Sequence, residues 1–260
     1  MACDPSDWKP AAAPGRMGRR ALWAAPLAGL ALQGCAGWVG RLPAGGSGRA
    51  DVDADADADA DGWHQVPLPG KRLTRYAFAR KDGRPAVHAR AEGSASMWRR
   101  KVDVPPDRLG LVRWSWRVDR LNQEASVADV DREDAVARVI FAFDGDRSRL
   151  SARNRALFDL AQALTGEAPP YATLMYVWEA HQPLGAVVAH PRSDRIRKWV
   201  VDSGPEHLGT WRVHQRDLSA DFERAFGEKP GALVAIGKMT DADNTRARAE
   251  AWYGPIELEP

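Results

Sequence analysis

Three oxygen-bearing side chains lie close together in the segment 240–245. Asp241, Asp243 and Asn244 directly follow a strand predicted over 232–239. Calcium takes about six to eight oxygen ligands and tolerates irregular loops, so this segment could hold a calcium ion. The alternative is a tight turn, in which the same side chains accept hydrogen bonds from nearby backbone N–H groups. The segment lacks the spacing and the closing glutamate of an EF-hand, which favours the turn.

A second set of charged side chains could recognise a ligand on a sheet face. Arg113, Arg117 and Arg138 alternate with large apolar residues on predicted strands, which places them on the opposite face of each strand. Together with Glu179 they could bind an anionic or hydroxyl-rich ligand through forked hydrogen bonds. The alternative is a solvated face with weak cross-strand ion pairs to Asp134 or Glu179.

Tryptophan side chains could add a surface on which sugar rings stack. Trp114 and Trp116 lie on the apolar face of their strand and are predicted to be core residues. Trp178, Trp199 and Trp252 lie near strand ends or beside charged residues, and we predict that they are exposed. The candidate ligand-binding residues are therefore Arg113, Arg117, Asp134, Arg138, Trp178, Glu179 and Trp252.

Signatures of catalysis are weak in this chain. It has no G-x-S-x-G, H-E-x-x-H or P-loop sequence, and its histidines lack the spacing of metal ligands. His181 and His190 flank a predicted hairpin and are expected at the surface. A glycosidase needs two carboxylates across a groove, and Glu179 with Asp134 or Asp202 could form such a pair.

The elements that position these residues are mainly short strands. Turn residues separate segments that alternate between apolar and polar side chains, as in 111–118. Two helices are predicted, over 151–164 and 218–226, and each ends before a glycine. This pattern predicts an antiparallel β-sandwich or jelly roll in one domain over 63–260. The predicted strands span 74–79, 86–92, 95–102, 111–118, 136–143, 173–178, 185–189, 196–201, 211–213, 232–239 and 249–258.

The first 35 residues resemble a lipoprotein export signal. Arg19 and Arg20 precede an apolar run over 21–32, and Cys35 follows a small residue at the predicted cleavage site. We expect translation to begin at Met17, because the preceding residues are acidic and rich in proline. Lipid on Cys35 would anchor the protein in a bacterial envelope, and Ala36 after the cysteine favours the outer membrane facing the periplasm.

Residues 36–62 are predicted to form a disordered tether. Six aspartates alternate with small residues over 51–61, which cannot bury enough apolar area to fold. The repeat is interpreted as a spacer rather than a cation-binding segment. Residues 36–260 carry equal numbers of basic and acidic side chains, and no basic run with interleaved aromatic residues occurs. Nucleic-acid binding is therefore excluded.

Several sequence blocks resemble an exported bacterial family that is known only as domain-of-unknown-function family 3047. The resemblance covers about residues 63–258, and the block after 239 is its most specific part. It implies a β-sandwich of the kind seen in carbohydrate-binding modules, and it implies no activity, so no catalytic residues carry over. The helix near 151–165 is extra relative to the shortest family pattern. The blocks are WSWR at 114–117, EDAVARVIF at 133–141, LMYVW at 174–178, TDADNT at 240–245 and AWYG at 251–254.

These observations favour a lipid-anchored, non-catalytic envelope protein that binds a glycan or another envelope component. One alternative is a hydrolase of envelope polysaccharide, so enzymatic activity stays open. Another is a structural or assembly lipoprotein that contacts only protein. Calcium is the one cofactor that the residues suggest.

Overall fold

The computed structural model describes residues 61–259, and in this range the chain forms two β-sheets. The predicted export signal, Cys35 and nearly all of the predicted tether lie outside the described residues. Two α-helices accompany the strands, α1 (Ala152–Thr165) and α2 (Leu218–Phe226). The strands are β1 (Trp63–Pro67), β2 (Arg75–Lys81), β3 (Arg84–Glu92), β4 (Ser96–Val104), β5 (Leu111–Val118), β6 (Ala137–Phe143), β7 (Ala172–Glu179), β8 (Val187–His190), β9 (Ser193–Ser203), β10 (Trp211–Asp217), β11 (Leu233–Met239) and β12 (Arg248–Glu259).

The two sheets contain seven and five of these strands. The larger sheet has the order β1-β4-β11-β6-β7-β9-β8, and the smaller one has the order β10-β5-β12-β3-β2. All pairs are antiparallel except β7 with β9, which run parallel. The chain runs from β7 to β8 at the edge of the sheet and then returns antiparallel to β8 as β9, which lies between them. The predicted mainly-β sandwich is confirmed, with this one parallel pair as a local difference.

The core lies between the sheets and follows the alternation of the strands. On β5, Val112, Trp114, Trp116 and Val118 are almost completely buried, while the residues between them face away from the core. Trp114 stacks on Tyr176 of β7, with ring centroids 4.8 Å apart. Burial of each large apolar side chain stabilises the fold by about 1.5–3 kcal/mol, so the predicted core positions hold the sheets together.

Both predicted helices are present and begin at side-chain caps. Ser151 accepts a hydrogen bond from the Asn154 N–H at the start of α1, and Asp217 accepts one from the Ala220 N–H at the start of α2. Each helix ends at a glycine with positive φ, a backbone conformation that glycine adopts without steric cost. Among residues 61–259, no helix is long and apolar enough to span a membrane.

Strand β1 was not predicted, because the segment 63–67 has no clear alternation. It forms one edge of the larger sheet and pairs with β4.

The turn between β2 and β3 contains Asp82 and Gly83, which both have positive φ, as a two-residue hairpin of type I′ requires.

The loops that carry the candidate site residues meet at one end of the larger sheet. Residues 119–136 connect β5 to β6, and residues 240–247 connect β11 to β12. Because β6 and β11 are neighbours in the sheet, the end of β11 lies beside the start of β6. The topology therefore brings together two sequence blocks that are about a hundred residues apart.

Candidate ligand-binding site

Arg138 is the centre of a buried charged network. It lies on β6 between Ala137 and Val139, which face the core, so its side chain projects from the other face of the larger sheet. Its guanidinium donates two hydrogen bonds to Asp241, from Nε to Oδ1 at 3.0 Å and from Nη2 to Oδ2 at 2.7 Å. Nη1 also donates to Oε1 of Glu133 at 3.1 Å. This arrangement is a forked ion pair, the strong form of an arginine–carboxylate contact.

Glu133 extends this network across the face of the sheet to β9 and β8. Its Oε1 accepts from Nζ of Lys198 at 2.5 Å, and its Oε2 lies 2.8 Å from Nε2 of His190. Lys198 is completely buried, and its Nζ also donates to the Val127 carbonyl oxygen at 2.9 Å. Nδ1 of His190 accepts from the Arg192 N–H at 3.1 Å. Both ring nitrogens of His190 are thus engaged within the protein.

The environment lowers the pKa of both Glu133 and Lys198, for opposite reasons. Burial disfavours the charged form of Glu133, but His190, Arg138 and Lys198 outweigh it and hold the pKa of Glu133 well below its usual range. Burial lowers the pKa of Lys198 to about 8, and the Arg138 charge acts in the same direction. The carboxylate therefore stays ionised at neutral pH, and the lysine titrates closer to neutrality than an exposed lysine does.

The segment 240–245 is tied to Asp134 by hydrogen bonds. Asp134 accepts from the Asn244 N–H at 3.1 Å, from the Thr245 N–H at 2.8 Å and from the Thr245 hydroxyl at 2.6 Å. The side chain of Asn244 donates to the Val130 carbonyl oxygen at 3.0 Å. The backbone donors of this segment thus bind the distant carboxylate of Asp134, whereas the turn interpretation expects them to bind the side chains of Asp241, Asp243 and Asn244.

One group of three carboxylates has the spacing of a cation site. Oxygens of Asp134, Asp241 and Asp243 lie within 4.8 Å of one another. Arg138 and the Ala135 N–H already donate to Asp241, and Lys71 forms an ion pair with Asp243. A hard cation at this position would have to replace the Arg138 and Lys71 donors, so the calcium site stays a prediction.

Glu179 is buried at the end of β7 and organises the neighbouring loops. Its carboxylate accepts from the N–H groups of Val127, His181 and Gln182, at 3.1 Å for Val127 and 2.6 Å for Gln182. A cavity of about 10 Å³ lies between Glu179 and Asp134. This volume holds about one water molecule and cannot receive a ligand ring.

A larger cavity lies between the start of α1 and the turn that joins β8 to β9. Its volume is about 170 Å³, and it is open to solvent. Asn154 is buried beneath it, donates to Oδ1 of Asp194 at 2.5 Å and accepts from the Ser193 hydroxyl at 3.1 Å. The exposed guanidinium of Arg153 donates to the Pro191 carbonyl oxygen at 3.4 Å. The cavity is lined by Ser151, Arg153, Asn154, Ala189, His190, Pro191, Arg192, Ser193 and Asp194.

Sequence comparison decides the family of the chain. The model of the family described as "Protein of unknown function (DUF3047)" matches residues 61–257. The chain belongs to this family. The resemblance that the sequence blocks indicated is thereby confirmed, and no curated protein matches the chain.

Two solved structures are similar to this DUF3047 domain in fold. One is a family 11 carbohydrate-binding module from Clostridium thermocellum in complex with a beta-1,3-1,4-mixed-linked tetrasaccharide; it has 9% sequence identity and a TM-score of 0.36 over 79% of this chain and 92% of that chain. The other is the family 11 module of a cellulosomal cellulase of Clostridium thermocellum, with 8% identity and a TM-score of 0.35 over 79% and 91% of the two chains. Scores this low carry no information about a ligand of the DUF3047 domain.

The predicted exposure of three tryptophans is wrong. Trp178, Trp199 and Trp252 are only 1%, 3% and 7% exposed. The Trp252 ring is covered by Lys81, whose Nζ lies 4.0 Å from the ring centroid, and by His88, which stacks on it at 4.5 Å. Charged neighbours in the sequence indicated exposure, but charged side chains from other parts of the chain, such as Arg216 over Trp199, cover these rings. None of these rings offers a stacking surface.

The candidate arginines of this DUF3047 domain do not share one groove. Arg113 and Arg117 lie on the smaller sheet, whereas Arg138 lies on the larger one. Arg117 forms ion pairs with Asp82 and Asp119, and Arg113 donates to Gln215 at 3.2 Å. The structure therefore joins Asp134, Arg138, Trp178, Glu179, Asp241, Asp243 and Asn244 at one end of the larger sheet, and it leaves Arg113, Arg117 and Trp252 elsewhere.

Sequence reasoning missed the cavity at the start of α1. The hairpin pattern predicts His190 only as a surface residue, and no sequence pattern singles out Asn154, Ser193 or Arg192. A signal was present in the segment 147–155, where four of nine residues are arginine. The cavity forms only because the β8–β9 turn packs against the helix start, which no local pattern records.

Proposed function

We propose that this domain is a non-catalytic module that binds a glycan of the cell envelope. The observation that carries the proposal is the open cavity at the start of α1. Hydroxyl, amide, guanidinium and carboxylate groups line it, and these are the groups that exchange hydrogen bonds with sugar hydroxyls. Sites that enclose a whole small ligand span roughly 300–1,000 Å³, so a cavity of about 170 Å³ suits one ring or one end of a longer chain.

The carboxylates that a polysaccharide hydrolase would need are occupied by structural hydrogen bonds. Glu179 accepts three backbone N–H groups, and Asp134 accepts two backbone N–H groups and a hydroxyl. Asp202 accepts from Trp116, Arg212 and His214. A general acid must hold and release a proton at the ligand. Because these carboxylates are buried and already accept several hydrogen bonds within the protein, they favour a binding role over hydrolysis.

The binding role is tested by thermal unfolding of the full chain with a panel of envelope glycans. A ligand that binds only the folded state raises the stability by about 2.7 kcal/mol at a hundred times its dissociation constant. We expect a shift with one sugar class and no turnover of that sugar. Absence of a shift with every glycan would contradict the proposal and favour a role in which the protein contacts only protein.

Variants locate the binding to the cavity. Arg192→Ala and Ser193→Ala remove polar groups of the cavity wall, whereas Arg90→Ala removes an exposed arginine on the smaller sheet and serves as the control. Loss of the shift in the cavity variants and its retention in Arg90→Ala would support the site. Turnover that disappears in Glu179→Gln while binding survives would instead identify a hydrolase.

We further propose that lipid on Cys35 displays the domain in the envelope, with the outer membrane facing the periplasm as its position. The support is the sequence alone, in which a basic pair and an apolar run precede the cysteine. A fatty-acid label should enter the protein and be lost in Cys35→Ala, which should also leave the membrane fraction. A label that persists in Cys35→Ala would overturn this part of the proposal.

A further inference from the structure

Two basic segments meet around the cavity. The segment 147–155 contains four arginines, and the segment 190–198 contains three arginines and a lysine. Asp194 is the one acidic residue in these two segments. The local excess of positive charge contrasts with the nearly neutral balance of the whole chain, which carries 37 basic and 35 acidic residues.

Neighbouring carboxylates balance only part of this charge. Glu228 pairs with Arg149 at 3.0 Å and also with Arg195, and Glu133 pairs with Lys198. The other guanidinium groups lack such partners among the described residues. Arg147, Arg153 and Arg155 donate to the carbonyl oxygens of Pro169, Pro191 and Leu150, which leaves their charge uncompensated.

Two arginines and one aspartate line the cavity. Arg153, Arg192 and Asp194 are all exposed, and Oδ1 of Asp194 accepts a hydrogen bond from Asn154. His190 forms part of the wall, but its ring nitrogens are engaged by Glu133 and by the Arg192 N–H. The charged groups that a ligand can reach are therefore two arginines and one aspartate, and a concave surface with net positive charge concentrates ligands of negative charge.

We propose that the ligand of this cavity is an acidic sugar, whose carboxylate binds Arg153 and Arg192. This inference rests on the proposed glycan-binding function and names its ligand class. Guanidinium groups bind carboxylates through paired N–H···O bonds, and the hydroxyls of the same ring meet Ser151 and Ser193 of the cavity wall. A concave polar cavity suits a single ring, whereas a membrane-binding surface presents an apolar face to the lipid.

The experiment compares an acidic ligand with its uncharged methyl ester. Isothermal titration calorimetry measures binding of a short oligogalacturonate and of its methyl ester to the full chain in neutral detergent. We expect the acidic form to bind and the ester to bind at least about tenfold more weakly, because a charge-assisted hydrogen bond contributes about 1.4 kcal/mol or more, the equivalent of tenfold. High salt should weaken the acidic form selectively.

Variants of the two exposed arginines complete the test. Arg153→Ala and Arg192→Ala should each weaken oligogalacturonate binding about tenfold, and Arg192→Lys should recover only part of the loss because it lacks the guanidinium fork. Arg90→Ala should bind like the unaltered protein. Thermal unfolding of each variant establishes that it is folded before its affinity is compared.

The outcomes separate the two proposals. Equal binding of the acid and the ester would overturn the acidic ligand and leave the glycan-binding module standing. If neither ligand binds and no glycan of the panel shifts the thermal unfolding, both proposals are overturned. Tight binding to phosphatidylglycerol vesicles without binding to oligogalacturonate would replace the acidic sugar with a membrane surface.

Discussion

At the scale of single residues, Arg138 forms ion pairs with two carboxylates at one end of the larger sheet. Its guanidinium contacts both Asp241 and Glu133, and it is almost completely buried. Removal of one partner from a buried ion pair leaves an uncompensated charge, which costs about 3–5 kcal/mol. We therefore expect Arg138→Ala to lower the free energy of unfolding by that amount in urea denaturation.

An exposed ion pair supplies the control for Arg138→Ala. Arg132 pairs with Asp129 at 2.8 Å at the surface of the 119–136 loop. Exposed pairs contribute less than about 1 kcal/mol, so Arg132→Ala should change the unfolding free energy little. Equal losses of unfolding free energy in the two variants would contradict the expectation that burial makes the Arg138 ion pairs more stabilising than exposed ones.

Asp202 should make the free energy of unfolding depend on pH in the acidic range. Burial raises its pKa, but hydrogen bonds from His214, Trp116 and Arg212 outweigh burial, so the pKa lies below the ordinary value. An unfolded aspartate titrates near about 3.9. Because the folded pKa is lower, the stabilisation is complete above the unfolded value and is lost as the pH falls through the folded value.

The test of this acid dependence is the urea midpoint of Asp202→Asn as a function of pH. We expect the variant to be less stable than the unaltered protein at pH values near neutrality and to lose less stability on acidification. Asp107→Asn, at an exposed position, should retain the slope of the unaltered protein. An unchanged slope in Asp202→Asn would contradict the role of this carboxylate.

The predicted calcium site is decided by melting temperatures measured in calcium and in chelator. An ion held by Asp241 and Asp243 must raise the melting temperature in calcium, and Asp243→Asn must abolish that rise. The hydrogen-bonded turn instead predicts the same melting temperature in both buffers. The donors Arg138 and Lys71, which already contact these carboxylates, favour the second outcome.

At the scale of elements, the exposed face of α1 contributes little to the core. Leu160 and Leu164 form an apolar stripe at helical spacing on this face, yet they are 57% and 65% exposed. Surface substitutions usually change stability by less than about 0.5 kcal/mol, whereas buried leucines lose about 2–5 kcal/mol on truncation. Leu164→Ala should thus cost little and Leu174→Ala, in the core, should cost several kcal/mol in urea denaturation.

The matched leucine pair also tests whether α1 has a partner. A large loss of stability in Leu164→Ala would mean that a surface outside the described residues covers the helix. The stripe on α1 shows that helical periodicity by itself does not establish a contact with the core. The first turn of α1 is anchored at Asn154 through Asp194 and Ser193 of β9, and Phe158 in the next turn packs against the core.

At the scale of the whole molecule, the two last strands complete both sheets. β11 lies between β4 and β6 in the larger sheet, and β12 lies between β5 and β3 in the smaller one. A chain that ends at residue 247 lacks the central strand of the smaller sheet. We expect circular dichroism to show no cooperative unfolding transition for this truncated chain.

The control for the truncation keeps β12 and alters its surface. Glu257→Ala and Glu259→Ala change exposed positions of β12 without removing backbone hydrogen bonds. Both variants should unfold cooperatively. Because β12 pairs with strands that begin more than a hundred residues earlier, the folding of this protein depends on distant contacts and should be slow for its size.

The sequence by itself determined the β-sandwich, both helices and the core positions of β5. These features follow from local physics, since alternation, turn residues and helix caps act within a few residues. The family blocks also located the segment 240–245, which belongs to the charged network.

Only the tertiary structure decided which side chains meet. Arg138 and Asp241 are 103 positions apart in the sequence and form one forked ion pair. A period of two assigns side chains to two faces of a strand, but it does not say which strand is the neighbour or what covers each face. For that reason the sequence did not reveal that Lys81 covers Trp252 or that Arg113 and Arg138 lie on different sheets. It also did not reveal the cavity beside Asn154, which forms where two distant segments pack together.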